Sequence, residues 1–86
     1  PGIPIRLNAK KIKKDEAYLL IQKKKINKIN YFFLSKNGNL KEAAKNLYST
    51  LRMIKKKNYK SIAIGKIPNK GFGKTINDRL KRAAKF

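Results

Sequence analysis

The chain has no cysteine and no histidine. Without cysteine there is no disulfide framework and no thiolate metal site. Without histidine the commonest general base and metal ligand is missing. Carboxylates are scarce too: Asp15, Glu16, Glu42 and Asp78 are the four acidic residues. Four scattered acids make a metal-dependent or paired-carboxylate active site hard to build, and no Ser/His/Asp arrangement exists. No apolar run approaches the length of a membrane span, and no signal peptide is visible. The expectation is a soluble cytoplasmic protein with no membrane partner. At 86 residues the chain is at most one small domain. A domain of that size buries only about 60% of its unfolded surface.

What is present in excess is positive charge. Lysine and arginine number 24 against 4 acidic residues, a formal net charge of +20. Such a balance suits nucleic acid or another polyanion. Only Arg6, Arg52, Arg79 and Arg82 are arginine, and the rest is lysine. Heavy use of lysine, isoleucine and asparagine is also what an AT-rich coding sequence produces. The lysine clusters at residues 10–14, 23–25 and 55–57 fall at different element ends and form no single stripe. The charge therefore reads as a solvated surface, with nonspecific RNA binding at low salt.

Apolar periodicity supplies the architecture. Residues 3–7 (IPIRL) alternate, with Pro4 marking a strand start or edge. Residues 17–22 (AYLLIQ) are a short apolar run flanked by charge and read as a strand. Lys23, Lys24, Lys25, Asn27 and Lys28 make a connector. Residues 29–35 (INYFFLS) read as a strongly buried strand. Tyr31, Phe32 and Phe33 there are either bases' stacking partners or core. Four consecutive bulky residues, 31–34, favour a core strand covered on both faces.

Asn37-Gly38 is a turn, and Asn39 then reads as an N-cap with Glu42 as its capping-box partner. A helix is predicted over about 40–57. Leu40, Ala43, Ala44, Leu47, Tyr48, Leu51 and Ile54 form its apolar face. Met53 lies off that stripe and receives no role. Lys55, Lys56 and Lys57 suit the helix dipole, and Asn58 ends the helix. A strand over 60–67 (KSIAIGKI) follows, so the strands at 29–35 and 60–67 should run parallel. The predicted fold is a small α/β domain: a largely parallel sheet of about four strands covered by two helices. There are no internal repeats.

The most distinctive stretch closes the chain: residues 71–86, GFGKTINDRLKRAAKF. A turn at Pro68-Asn69-Lys70 leads into it. Gly71 and Gly73 can take positive φ and let the chain reverse tightly off a strand end. Ile76, Leu80, Ala83 and Ala84 give a narrow apolar helix face, and Asp78 and Arg82 are spaced to pair. Strand, glycine loop, GKT and helix approach a phosphate-binding loop, with Lys74 reaching phosphate and Thr75 holding magnesium. The pattern is incomplete, because Pro68 occupies the first glycine position and donates no amide. The ordinary alternative makes Gly71 and Gly73 turn residues and Lys74 and Thr75 a solvated helix start. Asn77, Asp78 and Arg79 are the one compact polar group of mixed chemistry. They either dock another domain or fix the preceding loop, and a structural role is preferred.

The run GFGKTINDRLKRAA, with Gly71, Gly73, Asn77, Asp78, Arg79 and Arg82, resembles the C-terminal signature of the long-form threonylcarbamoyl-AMP synthases. Residues 36–68 are similar to that domain's helix and following strand, and IPIRLNA to its opening strand, so the resemblance covers nearly the whole chain. It implies a Rossmann-like C-terminal accessory domain, residues 1–86, itself without catalytic residues or cofactor. The parent would be a two-domain, ATP- and magnesium-dependent nucleotidyltransferase. Its N-terminal YrdC-like catalytic domain, the partner of this one, makes threonylcarbamoyl-AMP from threonine, bicarbonate and ATP for tRNA modification. Lys74 and Thr75 fall in the variable part of the family pattern. The first residue is Pro1, so a fragment, a processed product and a longer protein all remain open. The competing expectation is a free-standing basic RNA-binding module.

Overall fold

The computed structural model describes residues 3–23, 25 and 28–84. Lys24 and Asn27 of the expected connector, the opening Pro1, and Lys85 and Phe86 at the end of the last stretch lie outside the described residues.

Four strands and two helices follow one another as β1 (Ile5–Arg6), β2 (Glu16–Gln22), β3 (Tyr31–Ser35), α1 (Leu40–Lys56), β4 (Ser61–Ile64) and α2 (Phe72–Ala84). The strands form one sheet in the order β1-β4-β2-β3, and every neighbouring pair is parallel. This is the small Rossmann-like α/β domain that the periodicity and the resemblance predict. The registers align Ile5 with Ile62, Ala17 with Ile62, and Leu19 with Phe32 and Ile64. The predicted parallel relation of the third and fourth strands holds. They are not neighbours, because β2 lies between them.

Both helices pack on one face of the sheet. Ala17 and Leu19 of β2, Leu34 of β3, and Ile62 and Ile64 of β4 meet Ala43, Ala44, Leu47 and Ile54 of α1 and Ile76 and Leu80 of α2 in one buried cluster. Every second strand residue supplies it, as the two-residue period of a strand requires. Each fully buried Leu or Ile contributes about 1.5–3 kcal/mol of apolar burial. Among the described residues, no helix is long and apolar enough to cross a membrane.

The one-sided cover corrects the reading of residues 31–34 as a strand covered on both faces. β3 is an edge strand, and its alternate residues Tyr31 and Phe33 lie on the face without helices. Phe33 is 37% exposed, beneath the Lys23 ammonium 5.9 Å from its ring centroid. Its neighbours do pack: Leu34 is buried, Phe32 meets Tyr59 edge-on at 5.9 Å, and Tyr31 meets Tyr18 at 5.3 Å.

Asn39 caps α1 as expected, its Oδ1 accepting from the Glu42 amide at 2.9 Å. The reciprocal half of the box is made differently. The Asn39 amide donates to the buried Ser35 Oγ at 2.9 Å, so the last residue of β3 fixes the start of α1. At the other end the Lys57 amide donates to the carbonyls of Ile54 and Lys55, and Asn58 turns the chain out at φ 63°. Tyr48, placed on the apolar face by its spacing, is 49% exposed at the margin of that face.

Candidate functional site

The most distinctive sequence and the C-terminal end of the sheet meet in one region, the passage from β4 into α2. Gly71 takes a left-handed conformation, φ 57°. Gly73 does not. It lies inside α2, and a Cβ there would be driven into the Pro68 carbonyl oxygen, with Leu40 Cδ1 at 3.6 Å. Close approach of the turn to the helix, rather than backbone sign, is what requires glycine at this position.

Three amides at the start of α2, those of Gly73, Lys74 and Thr75, are spent within the turn. Gly73 N donates to Lys70 O at 3.0 Å. Lys74 N and Thr75 N donate to Gly71 O at 3.1 and 3.5 Å. Lys74 is exposed and Thr75 half-buried. A phosphate cradle needs such amides turned outward.

Asn77 is half-buried, and its Nδ2 donates to Ile67 O at 3.1 Å and to Asn69 Oδ1 at 3.4 Å. It therefore ties α2 to the preceding loop. Arg79 reaches the neighbouring helix, its guanidinium 5.7 Å from the Tyr48 ring centroid. Asp78 and Arg82 are exposed. They do not form the expected pair: among the described residues the ion pair present is Arg6–Glu16. An exposed pair four residues apart on a helix gains only about 0.3–0.5 kcal/mol, which side-chain entropy readily offsets.

Beside this loop is a cleft of about 270 Å³ at the C-terminal ends of β1 and β4. Open parallel sheets bind ligands outside the carboxyl ends of their strands. Asn8, Lys66, Asn69, Asn77 and Lys81 supply its polar lining, and no carboxylate lines it. Asn8 holds φ 52°, a left-handed conformation that asparagine tolerates better than most residues. Sequence reasoning found Asn77 but not its company. The loop positions would have been found from the strand ends had the order β1-β4 been known.

A second polar cluster was also missed. Glu16, at the start of β2, is 1% exposed. Its carboxylate accepts from Arg6 Nη2 at 2.7 Å, Arg6 Nε at 2.9 Å, Ser61 Oγ at 2.6 Å and Lys13 N at 2.9 Å. The Arg6 guanidinium, with help from Ser61 and the Lys13 amide and against the cost of burial, holds the Glu16 carboxyl down at about 2. The same pairing raises Arg6. Arg6 also donates to Lys11 O at 2.8 Å, drawing the β1–β2 connection over this corner. With every acceptor site engaged, Glu16 is a structural anion rather than a general base.

Among the described residues, no group of three or more acidic, histidine or cysteine side chains is placed to hold a metal ion. A family model described as threonylcarbamoyl-AMP synthase, C-terminal domain, matches residues 4–85. No curated protein and no solved structure matches the chain.

Proposed function

The chain belongs to the family of threonylcarbamoyl-AMP synthase C-terminal domains, and on that premise we propose that it is the non-catalytic accessory half of such a synthase, serving tRNA threonylcarbamoyl-adenosine modification in the cytoplasm. The observation that carries this reading is the extent of the match. Residues 4–85 include all six elements of the domain. Its partner is then an N-terminal YrdC-like catalytic domain of the same protein.

The chemistry of the residues supports an accessory role. The buried carboxylate, Glu16, is fully engaged. ATP and magnesium belong to the catalytic domain in this reading. The amides beside Lys74 and Thr75 are turned inward and do not fit nucleotide phosphates, so no step is routed through them. Exposed Asp78 and Arg82, on the outer side of α2, are offered to the catalytic domain as docking residues.

The test uses a separately purified YrdC-like domain of the parent protein. Alone, the 86-residue chain is expected to release no pyrophosphate from ATP with threonine and bicarbonate. Mixed with the catalytic domain it is expected to associate, and Asp78→Ala with Arg82→Ala is expected to weaken that association. Threonine-dependent pyrophosphate release by the chain alone would overturn the non-catalytic assignment.

A further inference from the structure

We infer that the cleft at the C-terminal ends of β1 and β4 is a binding site for a small phosphorylated ligand, held by the backbone amides of Lys66, Ile67 and Asn69 and by the ammonium groups of Lys66 and Lys81. The sheet ladder ends one residue earlier, where Gly65 N donates to Leu19 O at 3.0 Å. From there the amides of Lys66, Ile67 and Asn69 donate to no acceptor among the described residues. Pro68, between them, has no amide. Lys66 and Asn69 are exposed and Ile67 is buried, so these three donors beside the cleft are open to water or to an anion.

The rest of the cleft suits an anion. Lys66 and Lys81 bring two positive charges and no lining residue brings a negative one. Asn77 accounts for Ile67 O and Asn69 Oδ1, which fixes the wall and leaves the Asn69 side-chain nitrogen as a further donor. Asn8 adds a side-chain amide with no hydrogen-bond partner among the described residues. This donor set differs from the phosphate-loop pattern, in which the amides of Gly73, Lys74 and Thr75 are consumed within the turn.

A phosphate monoester and an RNA backbone share this chemistry. The concave shape and the volume of about 270 Å³ favour a monoester on a small molecule over a continuous strand. A chain of charge +20 attracts every anion weakly, so the test must separate a site from a field.

The experiment titrates the isotope-labelled full chain with inorganic phosphate at constant ionic strength near ~0.15 M, where the Debye length is only about 8 Å. Amide shifts report position. Saturating shifts are expected at Lys66, Ile67 and Asn69. The double variant Lys66→Gln, Lys81→Gln should weaken phosphate about tenfold, in line with the loss of charge-assisted hydrogen bonds. Both lysines are exposed, so the fold should persist. The charge-matched control Lys55→Gln, Lys56→Gln, at the end of α1, should leave the affinity unchanged. Shifts spread evenly over the lysine clusters, or equal weakening in the control, would overturn the site. A short oligoribonucleotide without terminal phosphates serves as competitor. Failure to displace phosphate from these amides supports the small ligand; efficient displacement at this salt would assign the cleft to RNA instead.

Discussion

Glu16 shows how much one side chain decides. A carboxylate buried to 1% exposure would ordinarily take up a proton, yet three donor residues hold it ionised at about 2. The folded value lies below the ordinary 4.5, so the stabilisation is complete above about pH 4.5 and is lost as the pH falls from there to about 2. A shift of this size is worth roughly 2–3 kcal/mol once solvent around the partly exposed Arg6 is allowed for. Urea unfolding should show wild-type stability falling by that amount across this window. Glu16→Gln should begin lower by about the same amount and stay nearly flat there. Parallel pH curves for the two proteins would assign the acid sensitivity to other groups.

At the scale of elements, the β4–loop–α2 passage is held at two points, by Asn77 on the loop carbonyl and by Gly73 against Pro68. The two glycines of the motif should respond differently to alanine. At Gly71 an added Cβ meets nothing within 4 Å, so the cost is conformational, about 1–2 kcal/mol. At Gly73 alanine gains about 1 kcal/mol of helix propensity but collides with backbone. Overpacking of that kind costs about 1–3 kcal/mol and also displaces the turn. Gly73→Ala should therefore loosen residues 66–70, seen as faster exchange of the Asn77 side-chain amide that ties this loop to α2, whereas Gly71→Ala should lower stability without that local opening. Equal exchange in the two variants would show that the close approach is relaxed at little cost.

For the molecule as a whole, charge and shape divide the surface into unlike parts. The helix side buries the apolar cluster, while the opposite sheet face leaves Phe33 open at the β3 edge. Lysines are spread over the ends of several elements, so affinity for tRNA should be sequence-blind and steeply salt-dependent. Retention measured from about 0.05 to 0.2 M salt should fall by orders of magnitude, as counterion release requires. Tight, structure-selective binding at the upper end would favour the RNA-binding module over the accessory domain.

The sequence by itself determined the elements and the family. The periods of residues 17–22 and 40–56, the cap at Asn39 and the run ending in INDRLKRAA are local, and local spacing encodes which face is apolar and where a helix begins. Tertiary structure decided what those elements surround. The order β1-β4-β2-β3 set Phe33 on an open edge and brought Arg6 and Ser61 to Glu16, residues 10 and 45 positions apart from it in the chain. It also aligned the ends of β1 and β4, so that Asn8, Lys66 and Lys81 line one cleft. Strand order depends on the packing of the whole apolar surface at once, a sum over distant contacts that no short window of sequence contains.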